Sequence, residues 1–366
     1  MSGRTADVLL LTRYGALGAS SRVRQLIYVP WLEARGLSVV TQPLLPDSYL
    51  QRLYGGRGRS GWQVAAAYAR RLAYLLGSVR PAVVWLEKEV WPFLPAWLER
   101  PLLARVPYVV DIDDAVFHTY DEHRSRLVKR VLGDKIDMLF KRSALVTAGS
   151  GYLARRAAAA GARWIEHVPT VVDLRDYTQS DPRQGGQLTF GWIGSPSTQA
   201  HLGALAPVLA EIANDAHSRL VSIGTRFPGS LFERHEQQTW RRETEAAQIA
   251  QFDIGIMPLP DEPFERGKCG YKLIQYMAAA VPVVASPVGA NKDIVRHGEN
   301  GFLADSPQEW RAALTALKQD DGLRRRMGAA GRLMVERQYA LQVTGPRMAN
   351  WLADIANSGR VTEVAR

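Results

Sequence analysis

The stretch that most constrains this 366-residue chain is residues 252–303, FDIGIMPLPDEPFERGKCGYKLIQYMAAAVPVVASPVGANKDIVRHGENGFL. An apolar run at 252–259 reads as one buried strand, and a second run at 281–285 as another. Between them lie a polar loop with Gly267, Lys268, Cys269, Gly270 and Lys272, and a helical segment at 271–280. Buried strands joined through a helix belong to a doubly wound α/β sheet. The loop also carries chemistry. Its glycines allow close backbone approach, and first-turn N–H groups with the helix dipole favour an anion, so this is a site for a phosphate. Lys268 and Lys272 add point charge. The same residues also fit an ordinary strand–loop–helix unit with a solvated basic loop.

The run Gln275-Tyr276-Met277-Ala278-Ala279-Ala280-Val281-Pro282-Val283-Val284-Ala285, with Gly289, Gly298, Gly301 and Phe302-Leu303 after it, resembles the nucleotide-sugar site of family-4 (group 1) glycosyltransferases. These are retaining enzymes of the GT-B fold. The family pattern places one glutamate where Gly267 stands and a second where Gln275 stands; the first contacts the donor sugar and the second the ribose. Gln275 can still hydrogen-bond a ribose through its amide. Gly267 has no side chain to offer, which leaves Glu265 or Glu262 to reach the sugar, or a donor sugar held in another way. The resemblance implies an α/β chain of two Rossmann-like doubly wound domains facing across a cleft, with a C-terminal helix crossing back to the first. It also implies a metal-independent, retaining hexosyltransferase with no cofactor beyond its donor, a nucleoside-diphosphate sugar.

Length agrees with two domains. They are expected at residues 1–175, completed by a helix within 340–358, and at 186–339, joined by the polar linker 176–187, DYTQSDPRQGGQ. A single cysteine, Cys269, excludes an internal disulfide and fits a reducing compartment. No partner histidine lies near it in sequence, so space-filling suits it better than nucleophilic chemistry. The N-terminal apolar run is short for a signal peptide, and no run reaches the ~18 apolar residues of a membrane span. The expected location is cytoplasmic, with peripheral attachment to the inner face of the cytoplasmic membrane as an option. The net charge of +10 is uneven: residues 1–170 hold 24 Lys/Arg against 14 Asp/Glu, whereas the remainder holds 22 of each. That half therefore suits an anionic partner.

In the first half, an apolar strand at 6–12 ends in Arg13-Tyr14-Gly15-Ala16-Leu17-Gly18, and Ser20 or Ser21 can cap the helix that follows. Gly18 and Arg22 are candidate contacts to phosphate or acceptor; a solvated first-turn arginine is the plainer alternative. Residues 51–80 hold Arg52, Arg57, Arg59, Arg70, Arg71 and Arg80, no acid, and interleaved Trp62, Tyr68 and Tyr74. Ala65, Ala69, Leu72 and Leu76 keep helical spacing, and their face is expected on the core. The rest could lie on an anionic membrane surface, as could a basic helical segment at 124–142. Single-stranded nucleic acid is a rival partner, but no nucleic-acid-binding motif is present. A strand at 108–112 brings Asp111, Asp113 and Asp114 to its C-terminal end, where ligands of open α/β sheets collect. Asp113 stands where family members often have a donor-sugar histidine, so Asp113 and Asp114 are candidates to face the sugar. Metal binding and N-capping of the next helix are the alternatives.

In the second half, a strand at 188–193 runs into Gly194-Ser195-Pro196-Ser197-Thr198. The family's diphosphate-binding arginine and lysine are missing here. The Gly194 N–H and the hydroxyls of Ser195, Ser197 and Thr198 could take phosphate oxygens, with Lys268, Lys272, the Gly270 and Tyr271 N–H groups and Arg226 as further contacts. A saccharide or lipid-linked acceptor, as in bacterial polysaccharide assembly, completes the reading. An epimerase of the same fold and a non-catalytic adaptor binding membrane or partner are its rivals.

Overall fold

The computed structural model describes residues 6–58, 60–77, 80–177, 186–213, 216–225 and 235–364, with side chains omitted for Ser197 and 359–364. The chain divides into two compact units, Met1–Thr170 with Val343–Arg366, and Val171–Gln342.

The first unit is built on six parallel strands: β1 (Ala6–Leu11), β2 (Val39–Thr41), β3 (Pro81–Glu87), β4 (Tyr108–Ile112), β5 (Leu145–Ala148) and β6 (Ile165–His167), in the order β2-β1-β3-β4-β5-β6. β3, β4 and β5 are buried along their whole length, as strands covered by helices on both faces must be. The second unit repeats the plan with β7 (Leu188–Ile193), β8 (Ser218–Ile223), β9 (His235–Gln238), β10 (Ile254–Met257), β11 (Val283–Ala285) and β12 (Gly301–Leu303), ordered β12-β11-β10-β7-β8-β9. Both are doubly wound α/β sheets. The C-terminal helix, Leu341–Val364, contributes to the first unit, where Thr344 meets the Tyr28 hydroxyl at 3.1 Å and Asn350 accepts from Arg35 at 3.0 Å.

Several expectations need correcting. The first unit ends at Thr170, because Val172 N–H donates to the Tyr339 carbonyl and its own carbonyl accepts from Leu341, both in the second unit. Tyr177 is not linker either: it is buried against the second core. The basic segment at 124–142 is two helices, Arg126–Leu132 and Lys135–Arg142, broken at Gly133 and Asp134.

The largest correction concerns the helix Gly61–Leu76. Its expected core face points outward: Ala65, Ala69, Leu72 and Leu76 are exposed, as are Trp62, Ala66 and Ala73. The buried residues are instead Ala67 and Arg71, the arginine 2% exposed and donating to the carbonyls of Thr12, Gln42 and Val90. Those carbonyls follow β1 and β2 directly and β3 after a short turn, so one guanidinium closes the C-terminal edge of three strands. Burial pulls its pKa down to about 9. Arg71 is a structural residue, and Arg70 likewise spends a donor on the Leu44 carbonyl. Arg59 lies outside the described residues.

Candidate functional site

In the second unit, β7 and β10 carry their following loops to one edge of the sheet. β7 is followed by Gly194, whose N–H is already committed to the Ile223 carbonyl at 3.0 Å; it does not serve as a phosphate donor. Gly194 is required for another reason. A Cβ there would sit 2.4 Å from the Trp192 ring and 2.7 Å from Thr198 Oγ1. Ser195 precedes a 3₁₀ stretch, Pro196–Leu205, and its carbonyl accepts from both the N–H and the hydroxyl of Thr198.

The second loop supplies the charge. Glu265 and Gly267 lie on and just after the short helix Pro263–Arg266. Cys269 is buried with its thiol 3.9 Å from the Gly267 carbonyl, a packing position. Gly270 adopts φ +65, the left-handed region glycine enters without penalty, and a Cβ there would meet Ile294 at 2.4 Å. This sharp turn starts the helix Tyr271–Ala278. The first N–H groups of such a helix have no carbonyl within it to bond.

Lys272, in the first turn, lies over the indole of Trp192 at 4.5 Å and reaches Thr198 Oγ1 at 3.4 Å. Burial, with repulsion from Lys268, pulls its pKa down to about 7. Lys268 covers the Phe264 ring at 5.1 Å. His201 faces the same group, 3.7 Å from Glu265, and burial with the two lysines lowers it to about 4. Two lysines close enough that Lys268 helps to depress the Lys272 pKa form a locus of positive charge that suits an anion.

Gln275 does not stand open to a ribose as its position suggests. It is buried, and its amide donates to Glu245 at 2.8 Å and to the Tyr177 hydroxyl at 3.3 Å. Glu245, on the helix Glu245–Ile249, was not legible as a site residue: nothing in the spacing links it to a position 30 residues later. Glu262 is exposed, while Glu265 is half-buried beside His201. Arg226 lies outside the described residues, as does the side chain of Ser197.

In the first unit, Gly18 precedes the helix Ala19–Arg24, and Arg22 is buried. Asp113 and Asp114 do come together at the end of β4, but Lys88 lies between them, 2.8 Å from Asp113 and 3.2 Å from Asp114. Lys88 follows β3 directly and holds φ +64, a costly conformation for a lysine. Burial works to raise the Asp113 pKa, yet Lys88 and then Arg24 outweigh it and hold the carboxyl below its usual range. An ammonium thus occupies the place that the metal reading gave to a cation. The capping reading also fails: the helix His118–Asp121 starts after Phe117 with no side-chain cap. Beneath this pair, Arg24 grips Asp111 with two bonds of 3.0 and 2.7 Å and donates to the Val168 carbonyl, while Thr147 donates to Asp111 at 2.6 Å.

Residues 188–320 match the family model described as "Glycosyl transferases group 1". This segment is a group 1 glycosyltransferase domain. It contains Gly194, Thr198, Glu245, Lys268, Lys272 and Gln275. Among curated proteins, the chain is 38% identical over 98 residues to a phosphatidyl-myo-inositol mannosyltransferase of Mycobacterium leprae, covering 26% of each protein. It is 31% identical over 99 residues to a D-inositol 3-phosphate glycosyltransferase of Thermobispora bispora, covering 26% of this chain and 22% of the relative. The alignments thus span about a quarter of the length of these relatives. Among solved structures, Anabaena HepE in complex with UDP-glucose superposes with TM-score 0.71 at 18% identity, over 95% of this chain and 99% of that one. Sucrose-phosphate synthase from Thermosynechococcus elongatus gives TM-score 0.71 at 12% identity, over 96% and 99%. At such identities the likeness is one of fold, and the fold is GT-B.

Proposed function

We propose that this protein transfers a sugar from a nucleoside-diphosphate sugar to an acceptor, with retention at the anomeric carbon and without a metal. One observation carries the reading: Lys272, set on Trp192 beside Thr198, lies in the first turn of a helix that begins after a left-handed glycine. Cleavage of the anomeric C–O bond builds negative charge on the departing diphosphate. Fixed donors aimed where that charge develops stabilise the transition state more than the ground state. Lys272, Lys268 and the N–H groups of Gly270 and Tyr271 are those donors, and the hydroxyls of Ser195 and Thr198 line the same edge.

The ribose hydroxyls fall to the Gln275–Glu245 pair rather than to Gln275 alone, because the glutamine amide is held by Glu245. Glu265, 3.7 Å from His201, is the carboxylate offered to the donor sugar. Within the first unit, Asp113 and Asp114 are carboxylates neutralised by Lys88, a charge balance that suits hydrogen bonding to hydroxyls better than metal binding. The relatives named for inositol-linked substrates support an acceptor that is a saccharide or a lipid-linked alcohol. Retention and the hexose class follow the family resemblance.

A thermal-shift screen against UDP, GDP, dTDP and their sugars, without metal, tests the reading. A ligand at 100 times its dissociation constant adds about 2.7 kcal/mol, several degrees for a chain of this size. A shift confined to one base supports the transferase and names its donor class. No shift with any of them sinks it in favour of a non-catalytic role. Loss of Lys272 in Lys272→Ala should lower turnover ~100-fold or more.

A further inference from the structure

The helix Gly61–Leu76 is amphipathic the wrong way round for a helix of a water-soluble surface. Its inward side is fixed by Arg71, which is tied to three strand-end carbonyls. At 3.6 residues per turn the opposite side then has to present Trp62, Leu72 and Leu76, separated only by alanines. These three are 81%, 43% and 59% exposed. No charged side chain interrupts the stripe, whereas exposed Arg70 borders it and exposed Arg52 and Arg57 precede it.

A second patch repeats the chemistry. On the helix Arg126–Leu132, Leu127 and Val131 lie one turn apart, 70% and 41% exposed, among exposed Arg124, Arg126, Lys129 and Arg130. The loop at 92–93 touches the surroundings of both. Tyr68 on the first helix donates to the Pro92 carbonyl at 2.8 Å. The next residue, half-exposed Phe93, packs edge-on against Tyr120 at 5.4 Å, just before the second helix.

We infer that these two helices seat the first unit on an anionic lipid surface, with Trp62, Leu72, Leu76, Leu127 and Val131 entering the headgroup–acyl boundary and the flanking arginines meeting lipid phosphates. Apolar side chains ringed by cations, with a tryptophan at one end, match such a boundary in depth and in charge. A second copy of the chain is the other way to cover the stripe. It is disfavoured because pairing this face with itself brings the bordering arginines together, whereas anionic headgroups neutralise them. Among the described residues no helix is long and apolar enough to cross a membrane, so the contact is a surface one. The inference does not depend on the transferase reading, and its test uses no sugar transfer.

The test is vesicle co-sedimentation of the full chain, using phosphatidylcholine alone and phosphatidylcholine with about 30% phosphatidylglycerol, at about 0.1 M and 0.5 M salt. The double variant Trp62→Ser, Leu76→Ser is run beside it. Both positions are exposed, so its melting temperature should match the parent within the small range of surface substitutions. Binding only to anionic vesicles, weakened by salt and reduced tenfold or more in the variant, is the expected result. Equal binding to both vesicles, no binding to either, or parent-like binding by the variant overturns the inference. So does a lipid-free dimer, seen by light scattering, that the same variant dissolves.

Discussion

Lys272 gives the site a pH signature that can be calculated. Its free ammonium has a pKa of about 7, set by burial and by Lys268. A bound diphosphate supplies negative charge and so favours the protonated form. At pH 8 about nine in ten molecules of the unliganded protein have lost that proton, and binding must take it back. The apparent affinity for a nucleotide sugar should therefore fall close to tenfold per pH unit above 7, about 1.4 kcal/mol each, until the liganded pKa is reached. His201 cannot imitate the effect, because at a pKa of about 4 it is neutral throughout this range. Protein stability should move the other way. The unfolded lysine keeps its proton up to its ordinary 10.5 and the folded one releases it near 7, so the unfolded state binds more protons in between and stability rises with pH across that window. Titration calorimetry at pH 8 with the nucleotide sugar that the thermal-shift screen selects, in two buffers of different ionisation enthalpy, counts the protons directly. Uptake of about 0.9 proton per site is expected for the parent, and none for Lys272→Arg, whose guanidinium stays charged. Zero uptake in the parent, with affinity flat from pH 6 to 8.5, would refute the placement of the diphosphate against Lys272.

Other outcomes follow from the same contacts. Gln275→Glu restores the family's acid on paper but sets two carboxylates at the present 2.8 Å contact with Glu245; a loss of about 1–3 kcal/mol is expected by chemical denaturation. Gly194→Ala pushes a methyl into Trp192 and Thr198 and should shift the indole that supports Lys272, lowering nucleotide affinity measured by calorimetry while the protein stays folded. Arg24→Ala leaves Asp111 buried with Thr147 alone, a loss of the order of 3–5 kcal/mol and about ten degrees or more in melting temperature.

Most of the sheets could be read from the sequence because buried parallel strands are written as unbroken apolar runs. Val83, Val84, Trp85 and Leu86 are all fully or nearly fully buried, and so are Val109, Val110 and Ile112. β9 escaped because its sequence, HEQQ, is an edge strand with half-buried and exposed polar residues, and its membership rests on pairing with β8 alone. The loop that leads into the helix Tyr271–Ala278 was legible for a local reason: Lys268, Gly270 and Lys272 fall within five residues of chain. Partners that arrive from elsewhere were not. Lys88 between Asp113 and Asp114, and Glu245 on Gln275, are contacts across 26 and 30 residues, and no periodicity encodes them.

The helix Gly61–Leu76 shows where periodicity stops informing. Spacing establishes that Ala65, Ala69, Leu72 and Leu76 share a face; it carries no sign saying whether that face is turned in or out. The usual assumption turns apolar residues inward because nothing else outweighs their transfer from water. Here something does. The Thr12 carbonyl also accepts from the Leu44 N–H, but Gln42 and Val90 would lose their donor at a buried edge, at about 1–3 kcal/mol each, comparable with leaving a leucine exposed. One arginine donates to all three, and Arg71 is placed to do so only if the alanine–leucine face turns outward. An isosteric neutral replacement should reveal the competition. Arg71→Met removes the donors, and the helix should loosen or rotate to bury Leu72 and Leu76, which hydrogen exchange over residues 61–76 would register as lost protection. Unchanged exchange in a folded Arg71→Met protein would mean that packing by Val64 and Tyr68, not the guanidinium, sets the direction of the face.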